Sequence, residues 1–236
     1  MFIKAVAFDI DGTLYQERRF MLRHIPLVLR SPLICWGFAR ARKSIREYDF
    51  YEPPLHREQA RRVLQVLGKT VNDEHIGQMQ QRLQDRLYRH WDRLFVGMKP
   101  FNAVRSALEQ LKQDGFLLAA MSDFPVGNKL SELGLEDLFL LSFSAEDVGY
   151  LKPSRMPFIT LADELGCTPR EVLYVGNSIT KDILGAREAG MHTALYTSSP
   201  DRAVKSFAPD QLPDIMFSSY KDLPGEVARL QQGLGS

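Results

Sequence analysis

The sequence predicts an α/β protein: a mainly parallel sheet covered by helices on both faces, with an all-helical segment inserted after the first strand. Three observations carry that expectation. The apolar run Ile3-Lys4-Ala5-Val6-Ala7-Phe8 stops abruptly at two carboxylates, Asp9 and Asp11. From about Pro100 onward, short apolar runs alternate with amphipathic helical patterns, as in a parallel sheet whose strands are joined by crossover helices. Residues 16 to about 95 hold helix patterns and no convincing strand.

In the first run, side chains alternate along a strand, so Asp9 and Asp11 leave its carboxyl end on the same side, and Gly12 permits the turn that follows. Within the insert, Ile76, Met79, Leu83, Leu87 and Trp91 recur every three or four residues, a stripe that fits a bundle core better than a ligand-binding aromatic box. Pro53-Pro54 breaks the insert into two halves. Val104, Leu108 and Leu111 line one helix face, which Gly115 ends. A strand closes on Ser122, a helix around Lys129 to Leu133 is closed by Gly134, and Phe139 to Phe143 is another short strand. Phe158 to Leu165 is helical, with Gly166 at its end. Thr168-Pro169-Arg170-Glu171 offers an N-cap, a proline at the first helical position and an acid at the third, the start of a short helical turn. A strand Val172 to Val175, a helix Asp182 to Ala189 ended by Gly190, and a strand Thr193 to Tyr196 follow, and Gly233 to Ser236 reads as a frayed tail. The division expected is a discontinuous α/β core, residues 1–15 and 96–236, around a helical segment of residues 16–95.

The 236 residues suffice for one mid-sized domain with a substantial core, or for a core plus a smaller unit. With 44% hydrophobic and 25% charged residues the composition is globular, and a net charge of +1 gives no global reason to expect nucleic acid as a partner. Cys35 and Cys167 are far apart with no paired-cysteine motif, which argues for a reducing compartment and against a thiolate metal site. Asp9 cuts the N-terminal apolar run far short of a signal peptide, and no uncharged apolar stretch approaches eighteen residues. A soluble cytoplasmic protein is expected, with its oligomeric state left open. Of the histidines, His24, His56, His75 and His90 lie in the insert without metal-ligand spacing and His192 precedes a strand, so none is a candidate catalyst.

Asp9, Ser122 and Asn177 each follow a different strand, and parallel sheets bind ligands beyond the carboxyl ends of their strands. Two acids at such an edge are costly beside a core unless a cation and an anionic ligand compensate them. The string Phe8-Asp9-Ile10-Asp11-Gly12-Thr13-Leu14 resembles the first motif of the haloacid dehalogenase-like hydrolases, in their phosphatase branch. Ser122 after its apolar run, Lys152 in Gly149-Tyr150-Leu151-Lys152-Pro153, and Gly176-Asn177-Ser178-Ile179-Thr180-Lys181-Asp182 resemble the other three motifs in order and spacing. The resemblance implies a Rossmann-like core with a cap between the first and second motifs, and a Mg²⁺-dependent phosphatase acting on a small phosphorylated metabolite. It implies Asp9 as the nucleophile, Asp11 as the acid and base for leaving group and water, and Lys152, Ser122 and Thr13 as phosphate contacts; Asp123, in the loop entering the site, is a candidate for positioning the substrate. Mg²⁺ would be held by Asp9, the backbone carbonyl of Asp11, and Asp182 or Asn177. The pattern departs from the family at the last motif, which usually presents two acids: Asn177 occupies the first place and Asp182 keeps the second, so the metal site is one carboxylate poorer. A phosphotransferase or mutase of the same family, or a binding protein with a weakened site, are the alternatives; a phosphonate-cleaving enzyme would need a lysine from the insert, for which Lys43 is poor support. Retention of Asp11 disfavours halide displacement.

The first half of the insert is unusually basic. Arg18, Arg19, Arg23, Arg30, Arg40, Arg42, Lys43 and Arg46 are set against only Glu17 and Glu47. A solvated face whose long stems cover the insert's own core is the expectation; a lid that attracts an anionic substrate and contact with an anionic membrane surface are the alternatives, and a membrane partner is not expected.

Overall fold

The structure, a computed structural model, describes residues 2–47, 54–205, 207–208 and 211–235; Pro53 and Ser236 therefore lie outside the described residues. Six parallel strands form one sheet in the order β3-β2-β1-β4-β5-β6, with β1 (Ala5–Asp9), β2 (Leu117–Ser122), β3 (Leu141–Ser144), β4 (Val172–Gly176), β5 (His192–Tyr196) and β6 (Ile215–Phe217). The buried β1 lies at the centre, with Ala7 opposite both Ala119 and Tyr174.

Period-two alternation sorts the strand residues into two cores. Val6, Phe8, Leu118, Ala120, Leu173 and Val175 meet α6 (Val104–Gln113), α7 (Lys129–Glu132) and α11 (Leu223–Gly235) on one face. Ala5, Ala7, Ala119, Met121 and Tyr174 meet α8 (Arg155–Glu164) and α9 (Gly185–Glu188) on the other. Burying such faces is the main stabilising term, about 25 cal/mol for each Å² of apolar surface removed from water. The doubly covered sheet is the architecture expected from the alternation of elements.

Element ends follow their local chemistry. Ser154 caps α8 by accepting from the Met156 amide, and Thr168 and Glu171 form the capping box of a 3₁₀ turn, Pro169–Glu171. Strand β3 begins at Leu141 rather than Phe139, because Phe139 instead packs edge-on against Phe8. The helix expected from Asp182 is preceded by a π-helical turn, Ile179–Leu184, so α9 starts at Gly185, and a short α10 (Pro200–Val204) follows β5. The C-terminal tail is not frayed through Gly233–Gly235: α11 runs to Gly235 and Leu230 and Leu234 pack against the core.

Between β1 and α6 the chain forms α1 (Glu17–Arg30), α2 (Pro32–Glu47), α3 (Leu55–Val66), α4 (Asp73–Arg86) and α5 (Trp91–Phe95). Ile76, Met79, Leu83 and Leu87 are buried with Phe38, Ala41, Ala60, Val63 and Leu64, a bundle core as the stripe predicts. Trp91 belongs instead to the main core, against Phe20 and Phe124, because the helix breaks after Arg86. Pro54 takes the extended conformation that precedes α3.

Candidate active site

At the carboxyl ends of β1, β2 and β4 the structure brings together Asp9, Asp11, Thr13, Ser122, Asp123, Lys152, Asn177 and Asp182. Backbone economy makes this convergence possible. Gly12 has φ +88°, and a Cβ there would collide with the Asn177 amide. A Cβ on Gly176 would strike the Asp182 side chain. Gly12 therefore lets the loop after β1 close on the loop after β4, and Gly176 lets the segment after β4 fold back on its own Asp182.

Asp9 is buried. Its Oδ1 accepts from Lys152 Nζ at 2.7 Å and its Oδ2 from the Thr13 hydroxyl at 2.7 Å. Lys152, itself buried, also donates to Asp182 Oδ1 at 2.6 Å and to the Tyr174 hydroxyl at 3.2 Å. The second oxygen of Asp182 accepts from the Ser178 amide at 2.9 Å, so both its oxygens are engaged, one anchoring the lysine and one closing the π-helical turn. Asn177 presents its Oδ1 to the Thr13 hydroxyl at 3.4 Å, beside the Asp9 carboxylate.

Asp11 is held apart from Asp9 by a different set of donors. Lys129 Nζ lies 2.7 and 3.0 Å from its two oxygens, the Tyr15 hydroxyl donates to Oδ1 at 2.6 Å, and the Ser122 hydroxyl donates to Oδ2. Lys129 also donates to Ser122 Oγ at 2.9 Å. In this arrangement Ser122 serves Asp11. The Asp11 side chain is 18% exposed while that of Lys129 is fully covered, so the acid faces the opening and its cation lies behind it.

Three carboxylates (Asp9, Asp11, Asp182) thus meet two ammoniums (Lys152, Lys129). The uncompensated charge falls on Asp9. Burial pushes its carboxyl up to about 7; Lys152 opposes the rise and the neighbouring Asp182 and Asp11 add to it. For Asp11 burial also acts upward, but Lys129 and the Ser122 and Tyr15 donors outweigh it and hold the carboxyl below its usual value.

Lys129 and Tyr15 were not singled out as site residues from the sequence, where Lys129 marks only the start of α7. Its effect should be measurable. Removing one member of a buried ion pair costs about 3–5 kcal/mol, so Lys129→Met is expected to destabilise the protein by that order in urea unfolding at neutral pH. Because the fold lowers the Asp11 value, the pair stabilises above the ordinary carboxylate range. Its contribution is lost as pH falls through the folded value, so the difference from the parent should shrink below about pH 4. A second substitution, Asp11→Asn, should restore part of the loss at neutral pH.

A polar cluster joins the inserted helices to this centre. Arg42 pairs with Glu146 and donates to the Asp123 carbonyl at 2.9 Å; Glu146 Oε1 also accepts from Gln59 and the Tyr88 hydroxyl, each at 2.9 Å. Arg46 pairs with Asp123 Oδ2 and donates to the Lys152 carbonyl, while Asp123 Oδ1 accepts the Lys152 amide. Burial would raise the Asp123 carboxyl, but Arg46, Lys152 and Arg42 carry it far below its usual range. Of the eight basic residues in the first half of the insert, these two arginines reach the site's edge. Arg23 instead donates to the carbonyls of Leu94 and Val96.

Among the described residues, no group of three or more His, Cys, Asp or Glu side chains is arranged to hold a metal ion. In the centre itself the reason is local: Lys152 stands between Asp9 and Asp182, and Asn177 occupies the place of an acid. What remains around Asp9 is an oxygen-only set from Asp9, Asn177 and the loop backbone, with one negative charge in excess. That set fits a hard cation such as Mg²⁺ and does not suit a soft one.

Comparison with known proteins agrees with this architecture. A glyceraldehyde 3-phosphate phosphatase from Methanopyrus kandleri is 28% identical over 97% of this chain and 98% of its own. A phosphoglycolate phosphatase from Yersinia pestis is 29% identical over 93% and 96%. Among solved structures, a 2-haloacid dehalogenase from Pseudomonas syringae superposes with a TM-score of 0.64 at 24% identity, covering 96% of this chain and 99% of that one, a likeness of fold. The family model for haloacid dehalogenase-like hydrolases matches residues 3–190, a span that takes in Asp9, Asp11, Ser122, Lys152, Asn177 and Asp182, and the chain belongs to that family.

Proposed function

We propose that this hydrolase is a Mg²⁺-dependent phosphatase that cleaves a small phosphomonoester through an aspartyl-phosphate on Asp9. Residues 16–95 act as a cap over a core formed by 1–15 and 96–236. The observation that carries the reading is the asymmetry of the two acids: a buried Asp9 flanked by Lys152 and Thr13, and a more open Asp11 held by Lys129, Ser122 and Tyr15. The phosphatase names of the full-length relatives from Methanopyrus kandleri and Yersinia pestis support the substrate class.

The steps follow from the positions. A carboxylate oxygen of Asp9 attacks phosphorus and the ester P–O bond breaks, with Asp11 giving its proton to the departing alkoxide. Water then attacks phosphorus of the acyl phosphate, passing its proton to Asp11 and releasing phosphate and the free Asp9 carboxylate. Lys152 offsets charge beside the transferred group, and Asp182 holds Lys152 there. Mg²⁺, held by Asp9, the Asp11 backbone carbonyl and the Asn177 side chain, would supply the remaining positive charge for the phosphate oxygens. Asp182 acts in this reading through Lys152.

Phosphate release from a generic aryl phosphate, with and without EDTA, tests the reading. Metal-dependent release supports it, and a protein that binds such esters without turnover would favour a scaffold with a weakened site. Substrate identity would follow from a panel of small phosphorylated acids, aldehydes and sugars.

A metal titration tests the ligand assignment. An amide in place of a carboxylate removes a unit charge a few ångströms from the ion, worth several kcal/mol at an effective dielectric of about 20 before solvent responds. Native Mg²⁺ binding should therefore be weak, and Asn177→Asp should tighten it by about tenfold or more with activity retained. Asp182→Asn should remove nearly all activity, because Lys152 loses its anchor. Tight native binding that Asn177→Asp leaves unchanged would contradict the assignment.

A further inference from the structure

The geometry points to a second function for α1 and α2: docking the enzyme on an anionic phospholipid surface through an exposed apolar face bordered by arginines.

Phe20, His24 and Leu27 of α1 turn inward, spaced as one narrow stripe, and Glu17 at its start faces Gly12. At about 100° per residue, Val28, Met21, Ile25, Leu29 and Leu22 follow one another over an arc of about 120° on the outer side, and all five are exposed. Arg19 and Arg30 lie beyond that arc, and Arg18 within it. The outer face of α2 carries Leu33 and Trp36, with Arg40 stacked over the Trp36 ring at 5.8 Å and Lys43 one turn further. Leu29 is 76% exposed, Leu33 68% and Trp36 49%, well above what the expected covering of the insert's own core allows. Seven large apolar side chains within sixteen residues stay exposed, more than a solvated face needs.

The charge pattern selects the occupant. Arg18, Arg19, Arg30, Arg40 and Lys43 have no acidic partner among the described residues, and no acid lies between Glu17 and Glu47. A second copy of this chain packed by twofold symmetry would bring the two arginine sets together, which like charges oppose. An anionic bilayer supplies the opposite charge and an apolar interior at once, the combination that interfacial helices with a basic border and Leu or Trp on the apolar side exploit. No helix among the described residues is long and apolar enough to cross a membrane, so the contact is one of lying on the surface.

Co-sedimentation of the full chain with vesicles of phosphatidylcholine, alone or with phosphatidylserine, tests the inference. The protein should partition onto the anionic vesicles and much less onto the neutral ones, with a blue shift of Trp36 emission and loss of binding as salt rises. Each basic residue near such a surface contributes about fivefold to partitioning, so Arg30→Gln/Arg40→Gln/Lys43→Gln should weaken it on the order of a hundredfold. Leu29→Glu/Trp36→Ser should remove it while hydrolysis of a soluble ester stays at the parental rate. Failure to bind anionic vesicles, or equal binding by both variants, would overturn the inference. So would a concentration-dependent dimer in sedimentation velocity that Leu29→Glu/Trp36→Ser dissolves, since a second copy would then cover the face.

Discussion

Replacing Asp9 by asparagine is expected to lower turnover by about 10⁴–10⁶-fold, the range seen when a catalytic triad member is removed from another covalent hydrolase, while the fold gains stability at neutral pH and above. The amide cannot attack phosphorus usefully, but it fits the site: its oxygen can face Lys152 and its NH₂ the Thr13 hydroxyl, which turns to accept. The stability gain follows from the charge count. With three carboxylates and two ammoniums in the centre, the fold raises the Asp9 carboxyl to about 7. A raised acid stabilises the fold fully below its ordinary value, and that contribution is lost as pH rises through the folded value. The parent should therefore lose stability between about pH 4 and pH 7 that Asp9→Asn keeps. Thermal unfolding across that interval without added metal, alongside kinetics, checks both halves. A variant that is inactive because it has unfolded would count against this reading of the centre.

Asp11→Asn should cost roughly 10²–10⁴-fold, the usual scale of general acid–base assistance, and the cost should depend on the leaving group. An alkyl phosphate departs as a strongly basic alkoxide and needs the proton; a nitrophenyl phosphate departs as a stable phenolate and needs it far less. The loss should thus be near the upper end for an alkyl ester and near the lower end for the nitrophenyl ester. In the resting enzyme Lys129, Ser122 and Tyr15 keep Asp11 ionised against the effect of burial. A phosphate dianion arriving beside it raises its affinity for a proton, which suits an acid that must be loaded when substrate is bound. Equal losses for both esters would remove Asp11 from the proton-transfer role.

Much of the fold was legible because the alternation of strand and helix is written in local periodicity. β1, β2, β4 and β5 lie within two residues of their apolar runs, and the capped turn at Thr168 forms as its residues predict. β6 was missed because three residues at a sheet edge carry little pattern, and α11 was missed although Leu223, Val227, Leu230 and Leu234 recur at helical spacing. The motif residues of the centre were visible through order and spacing. The cations and donors that control them were not. Lys129 is separated from Asp11 by 118 residues, and nothing near it in sequence announces that an ammonium will be buried there. In sequence Arg42 and Arg46 belong to one basic stretch with Arg40 and Lys43, yet burial against Glu146 and Asp123 sets them apart from those two, which stay outside. Charge density along a helix does not say which of its faces meets the core.

The stereochemical course at phosphorus tests the covalent account most directly. Hydrolysis of an isotopically chiral aryl phosphorothioate in labelled water yields inorganic thiophosphate whose configuration counts the displacements. Attack by Asp9 followed by attack of water is two in-line displacements, so the account predicts net retention. Net inversion would mean that water strikes the ester directly and that Asp9 never carries the phosphoryl group.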